Sequence, residues 1–319
     1  MSDNARIGVI GTGAIGGFYG MMLLRAGFDM HFLLRSEYSV VAAKGLLIRS
    51  RIFGDLRAEK VNAYRYVEDM PRCDWLIVGT KSTGNNRLAP LLARAAAPNG
   101  KIVILQNGLG IEDGLRQLLP HARHLLGGSC MVATYRVAPG VIEHLAFGDI
   151  QLGYHSGPAT DAGEKHAIAI TCAELFAKAG IKANVTDDLA GARWQKLLSN
   201  VPFNGMSVLP GKNTRELVRN PDSRELIRGI IHEVFTVAAL CGHPLPADSH
   251  EKAIAAAETM PDYFPSMYLD FEHHRPMELE AIYEAPLAAA RRVGFEMRRV
   301  DALYQSLRLL QTQNQKKLA

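Results

Sequence analysis

The sequence lacks the features that mark secreted, zinc-binding or membrane proteins. Its four cysteines lie far apart among 319 residues and form no CxxC pair, which argues against a disulfide framework or a zinc site. No run of about 18 apolar residues suggests a membrane span. The first predicted strand begins so close to Met1 that no room is left for a signal peptide. These absences predict a soluble, cytoplasmic protein with no membrane partner.

An excess of charge of one sign is also missing. Lys and Arg number 36 against 32 Asp and Glu, and the basic residues are dispersed apart from Lys316 and Lys317. Binding of nucleic acid normally needs a basic patch or stripe, so no nucleic-acid partner is expected. The hydrophobic content of 48% is enough for one or two globular domains with a substantial core.

A glycine-rich motif stands at the start of the chain. An apolar run at residues 7–10 leads into Gly11, Gly13 and Gly16, which give G-x-G-x-x-G ahead of a stretch with helical spacing. In a strand, turn and helix of this kind, the first glycine allows the turn and the second lets the backbone approach a pyrophosphate. The third lets the helix pack on the strand. Because the N-terminus of the helix then faces the phosphates, the motif predicts a dinucleotide site.

Polar side chains follow the predicted core strands. Arg35 ends the second strand, where NAD-binding domains carry an acidic residue. A guanidinium there can hold a 2′-phosphate, which favours NADP(H). A solvated arginine is an equal alternative, and the nearby Glu37 weakens the charge argument. Lys81 and Asn107 follow two later strands at the edge where open α/β sheets bind ligands. A lone lysine in a loop is more often simply solvated, and Asn-Gly is a strong turn signal by itself, although the position of Asn107 at this edge favours a functional role.

The pattern of elements changes at Asp187. Strands and helices alternate up to that point, which predicts an α/β fold with a Rossmann-type doubly wound sheet over residues 1–186. Strand patterns then disappear, and an all-helical C-terminal domain is predicted over residues 187–319. Its helices are expected at 187–206, 221–241, 247–259, 266–274, 277–293 and 298–313.

A polar stripe lies in the first of these helices. Lys196, Asn200 and Asn204 are spaced i, i+4 and i+8, which places them on one helix face. An ammonium and two amides suit a polar pocket, because they offer a proton, a positive charge and hydrogen-bonding groups. A solvated helix face is an equal alternative. Pro202 predicts either a kink or a break that leaves Asn204 on a turn.

Capping is a sufficient explanation for two further polar residues. Ser266 fits the N-cap of one helix. Pro276 fits the first position of the next helix, with Glu278 near its third position in a capping box. The adjacent His273 and His274 do not share a helix face, so a surface cluster is preferred to a metal site, and no metal is expected.

In order along the chain, these motifs resemble the ketopantoate reductase (2-dehydropantoate 2-reductase) family over nearly the whole length. They are G-T-G-A-I-G-G at 11–17, L-L-R at 33–35, T-K at 80–81, L-Q-N-G-L-G at 105–110, W-Q-K-L-L-S-N-V-P-F-N at 194–204, P-S-M at 265–267 and R-P-M-E-L-E at 275–280. The resemblance implies a Rossmann domain, a helical domain and an active site in the cleft. It also implies NADPH-dependent reduction of a 2-keto acid, first of all ketopantoate to pantoate in pantothenate biosynthesis.

The resemblance also implies roles for single residues. Lys196 maps to the general acid, and Glu278 to a carboxylate that keeps this lysine protonated. Four residues map to substrate binding: Asn107, Asn200, Asn204 and Ser266. Contacts with NADP(H) map to Gly11, Thr12, Gly13, Ala14, Ile15, Gly16, Arg35, Lys81 and Asn107.

Departures from the family pattern leave the substrate open. Tyr283 and Glu284 replace a common Asn-Gly pair, Pro202 separates the two pocket asparagines, and a further family asparagine falls near Asn213. Another branched 2-keto acid is the alternative substrate. A redox sensor that binds NADP(H) without turnover is the non-enzymatic alternative. The strength of the preference for NADPH over NADH and the oligomeric state, a homodimer included, also stay open.

Overall fold

The computed structural model describes residues 5–260 and 262–316, and they form two compact units. The division falls between Leu189 and Ala190, whereas the sequence placed it after residue 186. The loop Asn107–Gly110 is an exception, because it belongs with the second unit although its neighbours on both sides belong to the first. No helix within the described ranges is long and apolar enough to cross a membrane.

The first unit is built on one mixed sheet. Its strands are β1 (Arg6–Ile10), β2 (Asp29–Leu33), β3 (Leu46–Ser50), β4 (Gly54–Ala58), β5 (Asn62–Tyr64), β6 (Cys73–Val78), β7 (Ala96–Ile104), β8 (His124–Ala138), β9 (Val141–Ser156) and β10 (Ala183–Val185). The order across the sheet is β4-β3-β9-β8-β7-β6-β1-β2-β5, and β10 pairs with β9.

The stretch β5-β2-β1-β6-β7-β8 is parallel throughout. Its connections run outward in two directions from β1, which is the strand order of a Rossmann domain. The helices of this unit are α1 (Ala14–Arg25), α2 (Tyr38–Lys44), α3 (Asn85–Ala95), α4 (Ile111–Leu118) and α5 (Ala162–Lys178). The four residues Ile7–Ile10 and the four residues Trp75–Val78 are buried without a break, as expected of strands covered on both faces. The predicted Rossmann-type sheet is confirmed.

The rest of the sheet differs in detail from the sequence prediction. The sequence predicts short strands at 125–133, 135–138, 141–144 and 150–153, whereas β8 and β9 form one long antiparallel hairpin. Register shifts along this pair absorb the residues that interrupt the alternation of polar and apolar positions, so the strands bend without ending. The sequence also predicts strands or a hairpin at 45–49 and 53–61. They are present as β3 and β4, and β3 joins the sheet parallel to β9. The sequence missed α2, which has only seven residues.

The second unit is helical, as predicted. It contains α6 (Leu189–Val208), α7 (Thr214–Arg219), α8 (Pro221–Leu240), α9 (Ser249–Thr259), α10 (Ser266–Glu272), α11 (Ala285–Arg292) and α12 (Arg298–Lys316), and a π-helical segment at Glu280–Glu284 leads into α11. The sequence missed α7. Asn213 is its N-cap and forms a full capping box with Glu216, which explains this asparagine by local structure.

Candidate active site

The three glycines of the first motif meet three different steric needs. Gly11 has φ +86°, and a Cβ there would lie 3.0 Å from the backbone nitrogen of Thr80. At Gly16 a Cβ would overlap the carbonyl oxygen of Gly11, so only glycine lets α1 approach β1 this closely. A Cβ at Gly13 would meet no atom within 4 Å. Gly13 therefore borders open space, which is the space that the second glycine of such a motif leaves for a pyrophosphate.

The N-terminus of α1 suits an anion. No side chain caps it, and its first turn contains no acidic residue. The Thr12 hydroxyl is buried and has no hydrogen-bond partner among the residues that the structure describes. Unsatisfied buried polar groups are uncommon, and together with free helix N–H groups they favour a bound phosphate. The loop residues Thr12–Gly16 thus fit the dinucleotide that the motif predicts.

The loop lies where the strand order reverses. β1 and β6 are neighbours, and the Gly79 N–H donates to the Ile10 carbonyl at 3.0 Å. Open α/β sheets bind their ligands at such a point. The buried Gln106 amide donates to the Thr80 hydroxyl at 3.0 Å and exchanges two hydrogen bonds with the Asn85 amide. The sequence contains one indication that Gln106 belongs to this site, because its amide directly follows a buried strand.

Arg35 and Lys81 are exposed at the same edge of the sheet as Gly11. Arg35 lies two residues beyond the end of β2, and Lys81 precedes a short 3-10 turn after β6. Glu37 does not oppose Arg35 as the sequence suggested. Its buried carboxylate pairs with the Arg136 guanidinium and accepts the Gly140 N–H at 3.0 Å. The charge of Glu37 is therefore already matched by Arg136.

Helix α6 carries the polar stripe without interruption. It continues through Pro202 to Val208, so the alternative with Asn204 on a turn is wrong. Lys196 and Asn200 are half-buried and Asn204 is buried, which does not match the alternative of a solvated face. The Nδ2 of Asn200 is buried and has no hydrogen-bond partner within the described ranges. An amide donor left unsatisfied in this way indicates a ligand at this face.

Neither Ser266 nor Glu278 has the capping position that the sequence predicted. Helix α10 begins at Ser266 itself, with Pro265 at the N-cap, so the Ser266 hydroxyl is not the cap. The helix after Glu278 begins at Leu279, because Pro276 and Glu278 still lie in the preceding irregular segment. The Glu278 side chain is nevertheless only 3% exposed. The Glu278 carbonyl accepts the Ile282 N–H at 3.2 Å, so Glu278 directly precedes this helix and does not occupy the third helical position that the sequence predicted.

The loop with Asn107 packs on the segment that follows Glu278. The Leu109 N–H donates to the Ala281 carbonyl at 2.9 Å. Gly108 has φ +113°, and a Cβ on it would lie 2.7 Å from that carbonyl oxygen. All the residues expected at the substrate and the catalytic centre thus belong to the helical unit, whereas the expected cofactor contacts other than Asn107 belong to the sheet unit.

Tyr283 and Glu284, which depart from the pattern of the family that the sequence resembles, make their contacts within the helical unit. The Tyr283 side chain is fully buried, and its hydroxyl donates to the Val201 carbonyl at 2.9 Å. Burial raises the pKa of this phenol far above its ordinary value, so it stays protonated. Glu284 is exposed and accepts from the Tyr304 hydroxyl at 2.8 Å. The tyrosine at position 283 therefore gives the α6 backbone a side-chain hydrogen bond, at the Val201 carbonyl.

Each of the two adjacent histidines has its own hydrogen-bond partner. The His273 ring bonds to the Leu269 carbonyl at 2.7 Å, and the His274 ring bonds to the Asn314 amide. Within the two described ranges, no group of three or more His, Cys, Asp or Glu side chains could hold a metal ion.

Comparison with known proteins gives matches over both units. The family model described as ketopantoate reductase PanE/ApbA matches residues 7–157, and the one described as ketopantoate reductase PanE/ApbA C terminal matches residues 188–311. A 2-dehydropantoate 2-reductase from Nostoc sp. (strain PCC 7120 / SAG 25.82 / UTEX 2576) is 36% identical over 98% of this chain and 97% of its own length.

Solved structures match as broadly. A 2-dehydropantoate 2-reductase from Geobacter metallireducens GS-15 superposes with a TM-score of 0.88 and 35% identity, over 97% of this chain and 99% of the other. A dimeric ketopantoate reductase from Staphylococcus aureus reaches a TM-score of 0.78 over 97% of this chain and 99% of its own. Its identity is 20%, so this likeness supports the fold alone.

Proposed function

The chain belongs to the ketopantoate reductase family and is an oxidoreductase, and from this premise we propose that it reduces a 2-keto acid with NADPH. Ketopantoate, reduced to pantoate as in pantothenate biosynthesis, is the first candidate substrate. The observation that carries the proposal is the α6 stripe. It presents a half-buried lysine beside a buried amide donor that has no partner in the part of the chain that the structure describes.

The sheet unit has the residues to hold the cofactor. The space beside Gly13, the Thr12 hydroxyl and the N-terminus of α1 would take the pyrophosphate. The exposed Arg35 would take the 2′-phosphate through its planar, charged fork, and Lys81 would add a second positive charge. When it is bound, NADPH supplies the hydride.

The helical unit has the residues for the proton and the substrate. In hydride transfer to a ketone, negative charge develops on the oxygen, and the Lys196 ammonium would stabilise that charge and donate the proton. Glu278, a buried carboxylate, would favour the protonated lysine. Asn107, Asn200, Asn204 and Ser266 would hold the hydroxyl and carboxylate groups of the substrate without adding charge.

The test is NADPH oxidation, followed by absorbance, with ketopantoate and a panel of branched 2-keto acids. Lys196→Ala should lower kcat by about 10²–10³-fold, because a preorganised donor to a developing oxyanion is worth roughly that much. The dissociation constant of NADPH should change less than twofold. Lys212→Ala is the matched control, since Lys212 is an exposed lysine of the same unit that pairs with Glu216. An unchanged kcat in Lys196→Ala would remove this lysine from the mechanism.

The cofactor preference has its own test. Arg35→Ala should weaken NADPH binding by about 10–100-fold, because a hydrogen bond to a charged group contributes about 1.5–3 kcal/mol. NADH binding should barely change, since NADH has no 2′-phosphate. Arg25→Ala, at the far end of α1, is the control. Equal weakening of both cofactors would refute the 2′-phosphate role.

The alternatives predict other results. Turnover with another branched 2-keto acid but none with ketopantoate would identify a reductase of different substrate. Binding of NADPH without turnover on any keto acid would identify a redox sensor, although a sensor has no use for a proton donor. A homodimer stays a prediction that light scattering of the purified protein can test.

A further inference from the structure

One turn of α6 has an unusual hydrogen-bond arrangement. Pro202 lies inside this helix, has no N–H to give to the Leu198 carbonyl, and crowds that carbonyl with its ring. Insertions and prolines of this kind bend helices at the turn they affect. Asn200 and Asn204 lie on either side of Pro202, so any bend here changes the spacing between their amides.

The Tyr283 hydroxyl lies in this turn. It donates to the Val201 carbonyl at 2.9 Å, an oxygen whose regular helical donor would be the Gly205 N–H. The Tyr283 oxygen also lies beside Gly205, the residue four positions after Val201. A side chain from outside α6 therefore hydrogen-bonds to the helix backbone between the two asparagines.

Gly205 leaves the room that this hydroxyl occupies. A Cβ at position 205 would lie 2.6 Å from the Tyr283 oxygen and 2.9 Å from two atoms of the Leu303 side chain. The Tyr283 ring is also held by the nearly parallel ring of Tyr304, with 6.3 Å between centroids and 16° between planes. Both the ring and its hydroxyl are thus fixed by packing.

The segment that carries Tyr283 also carries Glu278. Tyr283 belongs to the π-helical stretch Glu280–Glu284, which begins two residues after Glu278. π-Helical insertions add a residue to a turn and are frequent at functional sites. The same stretch receives the Leu109 N–H at the Ala281 carbonyl. One short segment therefore connects the turn of α6, the loop with Asn107 and the position of Glu278.

We propose that Tyr283 is a positioning residue for substrate recognition, because its hydroxyl, which bonds to the Val201 carbonyl and packs beside Gly205, sets the spacing of the Asn200 and Asn204 amides. The inference rests on the proposed role of these amides in binding the keto acid. It assigns a reason to the tyrosine in place of the family's common asparagine. The residue shapes the pocket from behind α6, through the helix backbone.

The experiment compares three variants with the wild type. Tyr283→Phe removes only the hydroxyl, and Gly205→Ala pushes the hydroxyl out of the turn. Each should raise the KM for the keto acid by roughly tenfold, since a displacement well under 1 Å at a binding group has an effect of about that size. The dissociation constant of NADPH should stay within twofold. Tyr304→Phe is the matched control, because its hydroxyl bonds to the exposed Glu284 carboxylate and not to α6; its KM should not change.

A second readout does not depend on turnover. Crystal structures of the wild type and of Tyr283→Phe should show a changed orientation of the Val201 carbonyl in the variant, with a shift of the Asn204 side chain relative to Lys196. An unchanged α6, or a KM equal to that of Tyr304→Phe, would overturn the inference. A wild type without turnover on any 2-keto acid would overturn the proposed function instead, and the comparison of the two structures would still decide the role of Tyr283.

Discussion

The glycines of the first motif allow a prediction that separates folding from binding. Gly13 and Gly16 stand three residues apart, yet their surroundings differ completely. A Cβ at Gly16 would overlap the Gly11 carbonyl oxygen and would touch the Val9 side chain at 3.2 Å. A Cβ at Gly13 would meet nothing within 4 Å, and its φ of −72° and ψ of −160° suit alanine. Gly16→Ala should therefore damage the fold, and Gly13→Ala should damage only the binding of the cofactor.

The magnitudes follow from these distances. Relief of the overlap at Gly16 requires α1 to move from β1 by about 1 Å, and overpacking of this kind costs about 1–3 kcal/mol. Two backbone groups cannot rotate away from each other, so we expect about 3 kcal/mol, or a Tm lower by about 6–12 °C. At the N-cap, replacement of Gly13 by alanine costs about 1 kcal/mol at most. Its methyl group would displace the pyrophosphate, with a loss of about 10–100-fold in NADPH affinity.

The assay measures thermal unfolding without cofactor and NADPH binding by calorimetry on the same preparations. Gly13→Ala should unfold within about 4 °C of the wild type and bind NADPH poorly. Gly16→Ala should show a clear loss of Tm even without cofactor. Wild-type affinity in Gly13→Ala would refute the assignment of the open space to the pyrophosphate. A wild-type Tm in Gly16→Ala would refute the steric argument.

Three further predictions concern stability and reactivity. Burial lowers the pKa of His144, so the folded protein favours its neutral ring. The free energy of unfolding should therefore be highest above about pH 6.5 and should decline as the pH falls toward the lowered pKa. Urea unfolding at pH 7.5 and 5.5 measures this decline, which should be smaller in His144→Asn. The buried Glu233 carboxylate accepts the Val300 N–H at 3.1 Å at the start of α12. Glu233→Ala should therefore lower the free energy of unfolding in denaturant by about 2–3 kcal/mol, and a loss below about 0.5 kcal/mol would refute the role of Glu233 in holding this helix end. Ellman's reagent should label Cys241 first in the native protein, because Cys241 is only partly buried whereas Cys73, Cys130 and Cys172 are buried. Fast labelling of Cys241→Ser would contradict this.

The architecture was accessible from the sequence because its strongest patterns are local. Buried parallel strands appear in the sequence as unbroken apolar runs. The change to helical spacing after Val185 indicated the second unit. The short α2 and α7 were missed, since one or two turns give too little periodicity to detect. The long β8 and β9 were read as fragments because their bulges interrupt the alternation of side chains.

The candidate site could be predicted in part. The spacing of Lys196, Asn200 and Asn204 already placed them on one face, because helix geometry fixes that relation. The capping interpretations of Ser266 and Glu278 failed because a cap depends on where a helix begins, and a shift of one residue moves it. The contacts of Tyr283 could not be predicted, because its partner Val201 is distant in sequence and only the fold brings it near. For Gln106 the sequence showed its position after a buried strand but not its partners Thr80 and Asn85.

The loop Asn107–Gly110 limits how this protein can be divided or recombined. The chain enters the helical unit at Asn107, leaves it after Gly110 and returns at Ala190. A fragment that starts at Ala190 would lack the donor to the Ala281 carbonyl and the glycine that packs on it. A chimera of two relatives should therefore take these four residues from the parent that supplies the helices. A single cut in the gene therefore cannot separate the sheet unit from the helical unit.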